Sequence, residues 1–165
     1  MNKITKEEIR LMAARGEDIT QLDVSHIEDF SQMFCDFKNF NQDLSNWDVS
    51  SGKYFSWMFA GCRDFNQDLS NWDVSNGEDF SYMFYKFYNF NGDISKWDVS
   101  NGKNFTWMFS DCRNFNCDIS NWDISNGDNF YKIFNGTNIP KDIFNKIYLA
   151  WNLRNKDLLP LGKLT

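Results

Sequence analysis

Several things are scarce in this 165-residue chain. It has one histidine, His26, so no histidine pair or cluster is present for zinc or acid–base chemistry. It has two prolines beside seven tryptophans, a balance that disordered chains do not have. No apolar run approaches the roughly 18 residues of a membrane-spanning helix. Charges stand near the N-terminus, where a secretory signal needs an apolar stretch. Basic residues are outnumbered 17 to 23, and the net charge of −6 disfavours binding to a nucleic-acid backbone. No Ser/His/Asp, Cys/His or phosphate-loop arrangement is visible. These absences predict a protein that is not an enzyme, holds no cofactor or metal, and contacts neither nucleic acid nor membrane. As written, it reads as cytoplasmic.

What is present is a repeat. Period 25 runs without insertion from Val24 to Asp123, in units starting at Val24, Val49, Val74 and Val99, with an incomplete unit from Ile124. The shared pattern is V-S-x-G-x-x-F-S-x-M-F-x-x-x-x-x-F-N-x-D-[IL]-S-x-W-D. Sixteen of the 17 phenylalanines fall in four columns, which end in Phe130, Phe134, Phe115 and Phe87. Trp47, Trp72, Trp97 and Trp122 form another column, and Met33, Met58, Met83 and Met108 a sixth. One unit cannot bury such a face alone, whereas stacked units can.

Within a unit, Phe55, Met58, Phe59 and Cys62 have the i, i+3, i+4, i+7 spacing of one face of a helical turn. Ser25…Glu28 and Ser75…Glu78 have capping-box spacing. Residues 65–69 and 72–74 read as short extended segments. Helical turn plus strand predicts an α/β solenoid. It would be a leucine-rich-repeat-like, right-handed stack of about five coils with a short parallel sheet and a helical cap at each end. The whole chain, 1–165, is expected to form one domain. Residues 1–17 give an N-terminal capping helix, opened by the Thr5…Glu8 box and stopped at Gly16. The repeats occupy 18–134. A second capping helix occupies 135–153, opened by Pro140. The tail, 154–165, offers Leu158, Leu159 and Leu161 to pack back.

The unit F-x-x-M-F…F-N-x-D-[IL]-S-x-W-D-V-S resembles the 25/26-residue repeat of bacterial surface proteins, a relative of the BspA-like leucine-rich repeats. The resemblance covers residues 18–134. It implies a non-catalytic interaction scaffold, brings no catalytic residues, and would place a longer parent protein at the cell surface.

Three sets of residues are candidates for function. The ninth column holds Gln32, Trp57, Tyr82, Trp107 and Lys132, and on a helical turn it points away from the core. Trp57, Tyr82 and Trp107, with Tyr85 beside them and Tyr54 and Tyr88 flanking, predict an outer aromatic stripe. It would bind a protein partner or a second copy. The opposing reading is rings lying flat over the backbone.

The second set is the polar row Asp43, Asp68, Asp93 and Asp118. At coil spacing, neighbouring carboxylates repel by about 0.9 kcal/mol even in water. Backbone N–H bonds within each turn are the expected remedy, in preference to calcium. The row also allows an alternative function: a small acidic inhibitor that imitates phosphates and blocks a nucleic-acid-binding enzyme. A structural subunit of a larger assembly, possibly viral, is a third.

The cysteines form the last set. Cys62 and Cys112 take the places of Phe37 and Phe87, so the pattern also repeats at 50. All four cysteines are expected to be free thiols. The same 50-residue alternation sets Lys53 beside Glu78 as a pair between coils, and His26 reads as a surface turn residue.

Overall fold

The computed structural model describes residues 3–154. Two helices close the ends: α1, Lys6–Ala14, and α2, Lys141–Arg154. Both sit where the sequence places caps. Thr5 and Glu8 form the reciprocal box at the start of α1. Gly16 follows its end at φ +73°, a conformation that costs glycine nothing. The Pro140 carbonyl accepts the first bond of α2, from Phe144. Leu158, Leu159 and Leu161 lie outside the described residues.

Between the helices the 25-residue units stack in register, but not as the α/β solenoid expected. Among the described residues there is no strand, no sheet and no helix within a repeat. Successive coils are joined by isolated parallel bridges: Asp29 to Tyr54, Tyr54 to Asp79, Asp79 to Asn104 and Asn104 to Asn129. The leucine-rich-repeat-like architecture with its parallel sheet is therefore corrected to a stack of turns.

The cause lies in the ninth and thirteenth columns. Trp57 and Gly61, and their equivalents in every coil, have φ between +54° and +73°. An extended strand needs φ near −120°. The positive φ folds the chain into successive turns, so Met58, Ala60 and Cys62 donate back to Phe55, Trp57 and Phe59. Only the alternate donors, Phe55, Trp57, Phe59 and Gly61, reach the next coil, at Asp79, Ser81, Met83 and Tyr85. The three donors between them pair locally, and a continuous ladder cannot form. The same turns replace the expected helical turn, and the serines of the two expected internal capping boxes have no helix to cap. Residues 65–69 and 72–74 form no strand either; a turn at 70–71 separates them, with the Trp72 N–H donating to the Leu69 carbonyl.

The repeated apolar columns form the core. Phe30, Phe55, Phe80, Phe105 and Phe130 stack face to face at 5.5, 5.5, 5.5 and 5.2 Å. The column from Phe34 to Phe134 does so at 5.6 to 6.0 Å. Trp47, Trp72, Trp97 and Trp122 are buried, yet each of these indole N–H groups has a partner one coil back: Ile19, Leu44, Leu69 and Ile94 carbonyls at 2.9–3.1 Å. A β-carbon at Gly77 would run into the Phe80 ring, which explains the glycine column. At the ends, Ile9 of α1 is fully buried, and Trp151 of α2 lies over Trp122 and Phe134 at 6.5 and 5.9 Å.

Candidate interaction surface

The turns that exclude a sheet also build the outer surface. At positive φ the ninth residue donates its N–H to the next coil and holds its side chain off the stack. Trp57, Tyr82 and Trp107 occupy this position in three successive coils. Trp57 and Tyr82 stack at 4.2 Å and 9°, Tyr82 and Trp107 at 6.0 Å and 6°. Tyr85 stands edge-on to all three, at 5.8, 5.7 and 5.9 Å. Its two immediate neighbours in the column, Ala60 and Ser110, are small and buried. All four expected stripe residues thus come together in one cluster. They are half-buried, because the rings cover one another's faces and leave their outer edges to solvent.

Cations border this cluster. Lys132 lies over Trp107 at 4.7 Å, and Lys86 over Tyr85 at 5.0 Å. The hydrogen bond to Tyr85 raises the pKa of the Lys86 amine. Of the two expected flanking tyrosines, Tyr54 is exposed and carries a bridge between coils. Tyr88 belongs to a different row: Arg63 and Arg113, one coil before and one after, rest over its ring at 5.7 and 5.1 Å. Sequence reading missed this row because its residue type changes from coil to coil.

The aspartate row has a structural occupation. Asp43, Asp68, Asp93 and Asp118 accept the backbone N–H of Ser45, Ser70, Ser95 and Ser120 at 2.8–3.1 Å. Asp48, Asp73, Asp98 and Asp123 do the same with the serines two residues on. Hydrogen bonds from these serines lower the pKa of Asp43, Asp68, Asp93 and Asp118. Among the described residues no group of three or more His, Cys, Asp or Glu is placed to hold a metal ion.

All four cysteines are free. Cys62 and Cys112 are buried, and their thiols donate to the Phe34 and Phe84 carbonyls at 2.8 and 3.1 Å. Burial pushes both thiols up, and Cys117 up to about 11, so none is a ready nucleophile. His26 is half-buried beneath the first cap rather than at the surface, with Nε2 2.9 Å from the Ile4 carbonyl. Lys53 pairs with Glu28 at 2.8 Å, one coil back, instead of with Glu78. Glu78 is taken by Lys103 at 2.6 Å.

The comparisons with known proteins agree with this repeat organisation. The family model described as "Mycoplasma protein of unknown function, DUF285" matches residues 5–101 and again 78–158. Together the two matches run through the stack and both terminal helices. No curated protein and no solved structure matches.

Proposed function

The chain belongs to the DUF285 family, and on that premise we propose that it is a non-catalytic protein-binding module whose contact surface is the stripe of Trp57, Tyr82, Tyr85 and Trp107. One observation carries this reading: bulky aromatic residues stand, half-exposed, at a backbone position that disfavours them. A left-handed conformation costs a non-glycine residue about 1–2 kcal/mol. Stacking of each aromatic pair returns about 0.5–1.5 kcal/mol. The two nearly cancel, so the fold itself gains little from rings at these positions. The thirteenth column meets the same backbone demand mostly with residues that tolerate it: Asp36, Gly61, Asp111 and Gly136. Tryptophan and tyrosine in the ninth column answer to a different need. These are the residues that dominate protein–protein contacts, where ring area is buried at low entropic cost.

The repeat's resemblance to bacterial surface-protein and BspA-like repeats supports the same reading, since those repeats serve as interaction scaffolds. The engaged carboxylates of the aspartate row support the acidic-inhibitor alternative less, because each already has a role in its own turn.

The test is cross-linking in cells from a photoreactive residue at Tyr85, compared with one at the exposed Tyr54 outside the stripe. The expected result is a discrete covalent adduct from position 85 alone, lost in Trp57→Asn/Trp107→Asn. Asparagine keeps the left-handed turn, so this variant should stay folded by circular dichroism. Light scattering of the purified chain then separates a second copy from a foreign protein as the partner. Equal adducts from both positions, or an adduct unchanged by the double substitution, would remove the stripe from consideration.

A further inference from the structure

A second surface, away from the stripe, has the chemistry of a ligand site. In a chain of net charge −6, most arginines should find a carboxylate. Arg63 and Arg113 do not: among the described residues neither forms an ion pair. Both guanidinium groups are instead parked against the ring of Tyr88, at 5.7 and 5.1 Å, one from each neighbouring coil. This positions two cations two coils apart in one row while leaving their N–H forks free. Such forks match carboxylate and sulfate oxygens.

Beside this row runs a cleft of about 670 Å³, lined by Arg113, Phe115 and asparagines that include Asn66, Asn91, Asn114 and Asn116. Its volume lies in the range of small-molecule sites. Asparagines elsewhere in the stack have structural work. The amides of Asn76, Asn101 and Asn126 donate to the Ser50, Ser75 and Ser100 carbonyls at 2.7–2.8 Å. In the cleft, Asn89 donates to the Arg63 carbonyl. The side-chain amides of Asn66, Asn91, Asn114 and Asn116 make no hydrogen bond within the described residues. Each offers both a donor and an acceptor. Neighbouring hydroxyl groups on a sugar ring require that combination, and the walls provide no deep apolar pocket for a peptide side chain. Acidic groups bound the site: Asp64 shares a row with Asn89 and Asn114, and Asp93 and Asp118 lie beyond Asn91 and Asn116. They confine an anion to the arginine side.

We propose that this row and cleft bind an acidic oligosaccharide, whose acid groups meet Arg63 and Arg113 and whose hydroxyls meet the asparagine amides. Tyr88 acts as a positioning residue, holding the two guanidiniums apart and in line.

The proposal is tested by calorimetric titration of the full chain with hexagalacturonate, a heparin-derived hexasaccharide, neutral maltohexaose and a hexaglutamate peptide. At least one acidic sugar should bind at least tenfold more tightly than maltohexaose and hexaglutamate. Which one binds separates a carboxylate from a sulfate source. Arg63→Gln/Arg113→Gln should weaken that binding at least tenfold without changing the unfolding temperature, and Asn91→Ala/Asn116→Ala should weaken it while preserving its salt dependence. Tyr88→Phe keeps the ring and should bind as the wild type does. Tyr88→Ala should weaken binding while leaving the salt dependence in place. No binding of either acidic sugar overturns the proposal, as does binding that the double glutamine variant leaves unchanged. Equal binding of hexaglutamate would make the site a peptide site and overturn the glycan assignment. The Trp57→Asn/Trp107→Asn variant should bind the sugar normally, which separates failure of this site from failure of the stripe.

Discussion

Two of the aromatic stacks in this molecule, one inside and one outside, have similar spacing and different reasons to exist. Inside, Phe55, Phe80 and Phe105 repeat at 5.5 Å and are fully buried. Outside, Trp57, Tyr82 and Trp107 repeat at 4.2 and 6.0 Å and stay half-exposed. The coil spacing imposes the ring spacing on both. Burial justifies the inner stack, because each ring removed leaves a hole between two coils. The outer stack would leave no hole, and its backbone would relax if it were removed. Periodicity alone therefore does not distinguish a core column from a functional one; burial and backbone conformation do.

Perturbing the inner stack should have the largest effect. Phe84 touches Phe59, Phe90 and Phe109 at 6.0, 4.4 and 5.8 Å. Phe84→Ala should destabilise the chain by about 3–5 kcal/mol in urea unfolding. A loss below about 1 kcal/mol would mean that the coils close over the gap. Trp97→Phe keeps a ring but removes the indole N–H that the buried Leu69 carbonyl accepts at 2.9 Å beside the Trp72 N–H. Losing that bond should cost about 0.5–1.5 kcal/mol in the same measurement. The outer stack should respond oppositely. Tyr82→Gly loses two stacking contacts and gains a relaxed backbone, so its unfolding free energy should stay within about 1 kcal/mol of the wild type. A loss as large as that of Phe84→Ala would make the stripe part of the core. The exposed Lys53–Glu28 pair marks the lower end: Lys53→Ala should change stability by less than about 1 kcal/mol.

Acid should act on the polar rows rather than on either stack. Hydrogen bonds to the folded chain hold the Asp43, Asp68 and Asp93 carboxyls below the ordinary aspartate value of 3.8. A depressed folded pKa means stability that is complete above the unfolded value and lost as pH falls through the folded one. The melting temperature should be flat from neutral pH to about 5 and fall below about 4. A fall beginning near pH 6 would point to a different group.

The period, the core columns and both caps were legible in the sequence. Each depends on a residue that only one arrangement satisfies: Thr5 with Glu8, Gly16 after α1, phenylalanine every 25 positions. The lack of a sheet among the described residues was not legible, and neither was the turn that replaces a helix. Phe55, Met58, Phe59 and Cys62 have helical spacing, yet successive turns reset by Trp57 and Gly61 bring the same four residues inward. The signal against a helix was the thirteenth column, where Gly61 and Gly136 stand among Asp36, Lys86 and Asp111. The stripe was legible as a column, and its exposure only in part, because stacking between coils depends on ring orientation. The arginine row escaped because Lys38, Arg63, Tyr88 and Arg113 share a position without sharing a residue type.

One interlock in the core bears on how such chains change length. Phe87 leans on Phe65 and Phe59 of the preceding coil at 5.9 and 6.3 Å, where the column holds only Cys62. A large residue is thus fitted against a small one, coil after coil. Excising residues 49–73 from the gene would set Phe37 directly beneath Phe87, two rings competing for the room of one. Excising 49–98 would return Phe37 to a cysteine neighbour, Cys112. Genes built on this pattern are therefore expected to grow and shrink by two coils at a time, so that the heritable unit is twice the length of the visible repeat.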